Sequence, residues 1–197
     1  MPLETLLAMV SFAFVMAFTP GPNNVMLTAS GVNFGFARTT PHMTGVVIGY
    51  AVMLCAAGGG VGALIVAFPA IQTALKIVGA AYMLWLAWKV ANAGKAGDES
   101  GEGRPLTFWQ AAAFQWVNPK GLIIAFGAAA LYVHPETAVR DFAVMLVVFT
   151  VATFGSTLTW AGFGVALRKV LQNERQARIF NVVMALLLVA SIAPMVL

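Results

Sequence analysis

The polar residues best suited to bind a small solute lie in two proline-containing motifs, each inside a long apolar stretch. The first is TPGPNN at residues 19–24 and the second is QWVNPK at residues 115–120. Pro20, Pro22 and Pro119 each lack a backbone N–H, so neither motif allows a continuous helix. In a bilayer, the freed backbone groups need protein or a wet cavity around them. Interrupted helices at matching places in two halves are typical of a transporter's binding site. A kink used only for packing is the alternative.

These motifs offer the groups that a zwitterion needs. A half-helix beginning near Asn23 would present free N–H groups, and the positive end of its dipole, to a carboxylate. The carbonyls of residues 17–19, and one near Gln115, would lose their backbone partners and could accept from an ammonium. The amide side chains of both motifs donate as well as accept. We therefore expect the two motifs to line one path for a neutral, zwitterionic solute.

Lys120 is the one cation placed well inside its apolar stretch. A buried ammonium is costly, so a lysine at such a depth usually faces a cavity or a partner. It could hold a substrate carboxylate or take part in proton coupling; snorkelling to the interface is the alternative. Lys76 lies near the edge of its stretch, where snorkelling is favoured.

A hydroxyl-rich face follows later in the chain. Thr153, Ser156, Thr157 and Trp160 share one side of a helix by their three- and four-residue spacing. They are interpreted as a cavity lining, although hydroxyls often bond to carbonyls of their own helix. The predicted substrate-binding residues are Pro20, Gly21, Pro22, Asn23, Asn24, Gln115, Asn118, Pro119, Lys120, Thr153, Ser156, Thr157 and Trp160.

The composition places these motifs in a membrane. Of 197 residues, 60% are hydrophobic and 9% charged, whereas a soluble domain carries about 25% charged residues. The apolar spans predicted from the sequence are 3–31, 40–67, 70–92, 106–133, 139–166 and 179–197. A span needs about 20 apolar residues, so the first and fourth, at 29 and 28 residues, are long enough to be broken. The prediction is an all-α integral membrane protein with six transmembrane helices, of which helices 1 and 4 are broken by proline.

A glycine-rich, charged segment divides the chain into two three-span halves. We predict a first repeat at residues 1–92, a cytoplasmic linker at 93–105 and a second repeat at 106–197. Because three is odd, the second half enters the membrane from the opposite side, which gives inverted repeats. Lysine and arginine cluster after spans 1, 3 and 5. The positive-inside rule then puts those loops in the cytoplasm and both termini outside.

At four stretches the chain resembles the lysine-exporter (LysE/RhtB-type) family of bacterial inner-membrane proteins. They are Phe18–Gly49, Leu75–Lys89, Phe114–Gly121 and Trp160–Arg168. The resemblance implies an antiporter that exports an amino acid or a close relative, driven by the proton gradient, through a six-span inverted repeat. Substrates within the family include basic amino acids, homoserine, threonine, leucine, and cysteine with its precursors. A homo-oligomer is one possible assembly of the protein.

Other functions fit the residues less well. No acidic residue lies deep in a predicted span, which disfavours a basic substrate and also a metal-cation exporter, since a metal would need carboxylates or thiolates. An enzyme would need a convergent nucleophile, base or metal cluster, and no such pattern occurs. A non-transporting membrane scaffold would not need matched breaks. We therefore expect an exporter of neutral amino acids working in the lipid bilayer by alternating access, without cofactor, metal or nucleic acid.

Overall fold

The computed structural model of the protein describes residues 1–60, 67–93, 104–171 and 173–193. Its secondary structure is helical, with no strand in these ranges. The helices are α1 (Leu3–Phe18), α2 (Pro22–Gly58), α3 (Pro69–Ala91), α4 (Phe108–Phe114), α5 (Pro119–Tyr132), α6 (Ala138–Arg168) and α7 (Glu174–Ala190). Single 3-10 turns precede α5 and α6, at Gln115–Val117 and Pro135–Thr137. Most of the predicted linker, with residues 94–103, lies outside the described residues, as do residues 194–197 at the end of the predicted sixth span.

Length and composition suit a bilayer. Three helical segments are long and apolar enough to cross one: α2, α3 and residues 135–168, which comprise α6 and the turn before it. Helices α1 and α5 are apolar but have 16 and 14 residues, fewer than the roughly 20 that a span needs. Large apolar side chains cover the exterior, as at Trp109 and Val139, which are 78% and 87% exposed. A surface of this kind belongs in contact with lipid.

The chain leaves the helical conformation between α1 and α2 because of its two prolines. A residue before proline is pushed out of the α region by the proline ring. Thr19, before Pro20, has φ −62° and ψ 133°. Gly21, before Pro22, is fully extended at φ −170° and ψ 178°. The same effect separates α4 from α5, where Asn118 has φ −80° and ψ 107° before Pro119.

Gly35 bends α2 sharply. It is the one non-helical residue inside this 37-residue helix, with φ 77° and ψ 174°, a conformation open essentially to glycine alone. Ser30 Oγ and Thr39 Oγ1 lie 2.9 Å apart across the bend, although nine residues of straight helix would separate them by about 13 Å. The sequence predicts a loop between spans ending at 31 and beginning at 40. Helix instead continues on both sides of a single glycine.

Replacing Gly35 with alanine is expected to destabilise the protein by about 1–3 kcal/mol, because the side chain strains this backbone conformation. Thermal unfolding in detergent, followed by circular dichroism, measures the effect. Gly127→Ala is the matched control, because it is a helical glycine whose added Cβ would have no neighbour within 4 Å. Equal melting temperatures for the two variants would contradict the assignment of strain to Gly35.

Glycines also bring helices into backbone contact. A Cβ at Gly31 would overlap the carbonyl oxygen of Ala161, and one at Gly164 would overlap that of Thr28. Small residues at a helix interface allow this close approach in membranes. Helix α2 therefore packs directly against α6. Gly49, one turn after Gly45, packs against α4 in the same way, where its Cβ would lie 2.5 Å from Ala112 Cα.

Candidate functional site

A cavity of about 60 Å³ lies where the end of α1 meets the beginnings of α2 and α5, against one side of α6. Its volume is enough for several water molecules. The lining residues are Ala13, Met16, Ala17, Gly21, Pro22, Asn23, Asn24, Val46, Tyr50, Asn118, Lys120, Gly121, Ile124, Phe149, Thr153, Ser156 and Thr157. We call it the central cavity. Both proline motifs contribute to it, although 92 residues separate Asn23 from Gln115.

The carbonyl groups at the end of α1 accept hydrogen bonds from side chains of three other helices. Asn24 Nδ2 donates to Ala17 O at 3.0 Å and to Thr19 O at 2.9 Å. Ser156 Oγ donates to Ala17 O at 2.7 Å. Lys120 Nζ donates to Thr19 O at 2.5 Å. The sequence predicts that these carbonyls lack backbone partners, and in the structure side chains satisfy them.

A pair of amide side chains joins the two motifs. Asn23 Nδ2 donates to Gln115 Oε1 at 2.8 Å, and Gln115 Nε2 donates to Asn23 Oδ1 at 3.2 Å. Gln115 Nε2 also donates to the carbonyl of Ala111 at 2.9 Å, one turn earlier in α4. Gln115 is fully buried. It does not line the cavity, but it holds the side chain of Asn23, which does. Its own carbonyl, which was expected to be free, accepts from Asn118 N at 3.4 Å.

Two helix beginnings meet at the cavity. The first N–H groups of a helix have no partner within it, and they carry the positive end of the helix dipole. Neither Gly21 before α2 nor Asn118 before α5 supplies a side-chain cap to its helix. Lys120, half-buried, adds a full positive charge at the same place. The local field therefore favours a negatively charged group in the cavity.

Asn118 is a buried polar residue in the lining of the cavity. It is 3% exposed, and its Oδ1 has no hydrogen-bond partner among the described residues. A buried carbonyl oxygen without a partner carries a desolvation cost of about 1–3 kcal/mol. A water or a ligand ammonium in the cavity would remove that cost.

Only part of the predicted hydroxyl-rich face of α6 lines the cavity. Thr153, Ser156 and Thr157 line the cavity, and Thr157 Oγ1 also donates to the carbonyl of Phe154 at 2.8 Å, within its own helix. Trp160 does not line it and packs instead on the cluster of Leu27, Met43 and Ala161. Trp160 shares the helical face but lies seven residues beyond Thr153, which is about 10 Å along the axis. Pro20 and Pro119 shape the breaks and likewise lie outside the lining.

Several lining residues were missed by sequence reasoning. Met16, Tyr50, Ile124 and Phe149 supply an apolar wall to the cavity. Tyr50 is 7% exposed, and it follows Val46 by one turn on the same face of α2. That spacing is the one available signal, but it cannot tell a cavity wall from ordinary core.

The comparisons with known proteins agree on one family. The chain matches the family model "LysE type translocator" over residues 14–193. It is 33% identical over 181 residues to the cysteine/O-acetylserine efflux protein of Salmonella choleraesuis (strain SC-B67), with 91% of each chain covered. The protein of the same name from Escherichia coli (strain K12) is 32% identical with the same coverage. No solved structure matches the chain significantly. This protein belongs to the LysE type translocator family, and it is a membrane transporter, not an enzyme.

Proposed function

We propose that this protein exports a small neutral amino acid or a close derivative, such as cysteine or O-acetylserine, across the bacterial inner membrane. The observation that carries the proposal is the meeting of two helix beginnings and Lys120 at one small cavity. The efflux proteins to which the chain is similar carry cysteine and O-acetylserine in their names. Their similarity extends over nearly the whole chain, which supports a related cargo.

The substrate carboxylate is assigned to the positive side of the cavity. The N–H groups at the start of α2 and α5 can donate to it, as at other anion sites on helix N-termini. Lys120 Nζ lies near enough to reach it, since it already contacts the end of α1. A metal cation would meet this positive field unfavourably, and the described lining contains no carboxylate or thiolate to hold it.

The substrate ammonium is assigned to the oxygen atoms around the cavity. Asn118 Oδ1 has no hydrogen-bond partner among the described residues. The carbonyls of Ala17 and Thr19 accept from Asn24, Ser156 and Lys120, so an ammonium would bind them by displacing one of these donors. Carbonyl dipoles can hold one ammonium, but the described lining has no acidic side chain that would favour a second positive charge. The small volume and the apolar wall of Tyr50 and Phe149 suit a short side chain. A neutral amino acid therefore fits better than lysine or arginine.

The transport mechanism follows from an inverted repeat. We assign two three-span halves at 1–92 and 106–197, with the broken first helix of each half at the centre. Rocking of the halves around the central cavity would open it to each side in turn, coupled to proton entry. Both termini lie outside and the linker 93–105 lies in the cytoplasm, as the distribution of lysine and arginine favours.

Everted membrane vesicles test the proposal, because their outer face is the cytoplasmic one. Vesicles that contain the protein are expected to accumulate radiolabelled cysteine or O-acetylserine, and accumulation should rise when the interior is acidified. Unlabelled neutral amino acids with short side chains should compete, whereas lysine and arginine should not. Vesicles without the protein serve as the control. Equal uptake with and without the protein, for every amino acid tried, would refute the proposed function.

A further inference from the structure

A second cavity, of about 50 Å³, lies between α2, α3 and the residues just before α4. Its lining residues are Met26, Ala29, Ser30, Asn33, Phe34, His42, Leu86, Lys89, Val90, Ala93, Arg104, Pro105 and Leu106. We call it the His42 cavity. It shares no lining residue with the central cavity, so it is a separate site.

His42 is the buried polar group of this cavity. The residue is 1% exposed, and neither ring nitrogen has a hydrogen-bond partner among the described residues. Buried polar side chains are nearly always hydrogen-bonded, so an exception needs an explanation. The lining of the cavity is mostly apolar, but Ser30, Asn33, Lys89 and Arg104 also contribute to it. Its volume of about 50 Å³ has room for water or a ligand group that would supply the missing bonds.

The charged residues that the structure describes in the lining of the His42 cavity have one sign. Lys89, half-buried, and Arg104, exposed, lie at its rim. The Lys89 ammonium is held over the ring of Trp85, 5.0 Å from its centroid. The described lining contains no carboxylate. Two cations and an unpartnered imidazole around the His42 cavity are suited to binding a carboxylate.

The two cavities follow one another along α2. His42, Val46 and Tyr50 are spaced by four residues and so share one helical face. His42 lines the second cavity, whereas Val46 and Tyr50 line the central one. Between the two cavities lies an apolar cluster that includes Met26, Val46 and Phe114. A solute leaving the His42 cavity along this face would reach the central cavity after passing that cluster.

We propose that the His42 cavity is an entry site, which binds the carboxylate of the amino acid on the cytoplasmic side before transfer to the central cavity. This inference rests on the proposed function and on its orientation, in which Lys89 and Arg104 are cytoplasmic. Lys89 and Arg104 attract the carboxylate at the rim, and His42 donates to it at the base. The apolar cluster that includes Met26, Val46 and Phe114 separates the entry site from the central cavity.

The test compares the two faces of the membrane. In everted vesicles, Lys89→Met and His42→Gln are each expected to raise KM about tenfold, because each variant loses one charge-assisted hydrogen bond to the substrate. Vmax should change by less than about twofold. In right-side-out vesicles, where substrate approaches from the opposite face, KM for counterflow should stay within about twofold of wild type. Lys76→Met is the matched control, since it removes the same charge from an exposed position on α3 that does not line the His42 cavity.

Acetate separates a substrate site from a general anion site. It should inhibit wild-type uptake in everted vesicles competitively, and Lys89→Met should weaken that inhibition. An unchanged KM in both variants would overturn the inference, whether or not acetate inhibits. The proposed function would still stand if the wild type transports. Equal increases in KM at both faces would also overturn it, because they would indicate an effect on the central cavity. If His42→Gln does not fold, Lys89→Met decides alone.

Discussion

Replacing Lys120 with alanine is expected to reduce amino-acid export at least about a hundredfold, because it removes two charge-assisted contacts from the central cavity. One is the bond from Nζ to the carbonyl of Thr19, which joins α5 to the end of α1. The other is the proposed contact with the substrate carboxylate. Cells loaded with dipeptides that contain the substrate allow efflux to be measured as amino acid appearing in the medium. Immunoblots of the membrane fraction then show whether the variant still inserts.

Lys76→Ala is the control for this variant, since it removes an exposed lysine far from the cavity and should leave efflux near the wild-type rate. Asn118→Ala should lose export as Lys120→Ala does, because its Oδ1 is assigned to the substrate ammonium. Normal efflux by both Lys120→Ala and Asn118→Ala would remove the site assignment. Loss of both proteins from the membrane would show instead that these residues act in folding.

Replacing Gly164 with alanine is expected to destabilise the protein by about 1–3 kcal/mol, the range for overpacking a tight interface. The added Cβ would overlap the carbonyl oxygen of Thr28 and lie 3.1 Å from the Cα of Gly31. Both are backbone atoms of α2, so no flexible side chain can move aside. Helices α2 and α6 must separate, and the central cavity between them should widen. Thermal unfolding in detergent measures the loss, and vesicle uptake should fall with it.

Gly162→Ala provides a control on the same helix. A Cβ at Gly162 has no neighbour within 4 Å, and alanine is the better helix former by about 1 kcal/mol. This variant should be at least as stable as the wild type. A similar loss of stability in both variants would mean that the cost arises from α6 itself and not from its contact with α2.

The local conformation of both breaks could be predicted because its cause is local. A residue before proline avoids the helical region whatever surrounds it, and Thr19, Gly21 and Asn118 follow this rule. The grouping of the two motifs also followed from general physical reasoning, because freed backbone groups at membrane depth need partners. Residues of both motifs line one cavity in the structure, and their role in binding a substrate stays a prediction.

The partners in the cavity could not be predicted, because they depend on distances through space. The bond from Ser156 to Ala17 joins residues 139 positions apart. Periodicity placed Trp160 on the correct helical face but said nothing about depth along the axis. The bend at Gly35 was missed for a related reason. A single glycine in a predicted loop gives no sign that helix continues on both sides of it with only its own φ positive.

The bond from the Lys120 ammonium to the Thr19 carbonyl affects the behaviour of the unloaded transporter. An ammonium of the protein already occupies a position that suits the ammonium of a cargo molecule. Under the proposed function, an arriving amino acid would displace this lysine from the carbonyl, and the lysine would become available for the carboxylate of the amino acid. A small cation would gain less from such an exchange because it brings only one of the two charges, and water brings neither. If the site assignment holds, the empty carrier should therefore leak small cations only slowly.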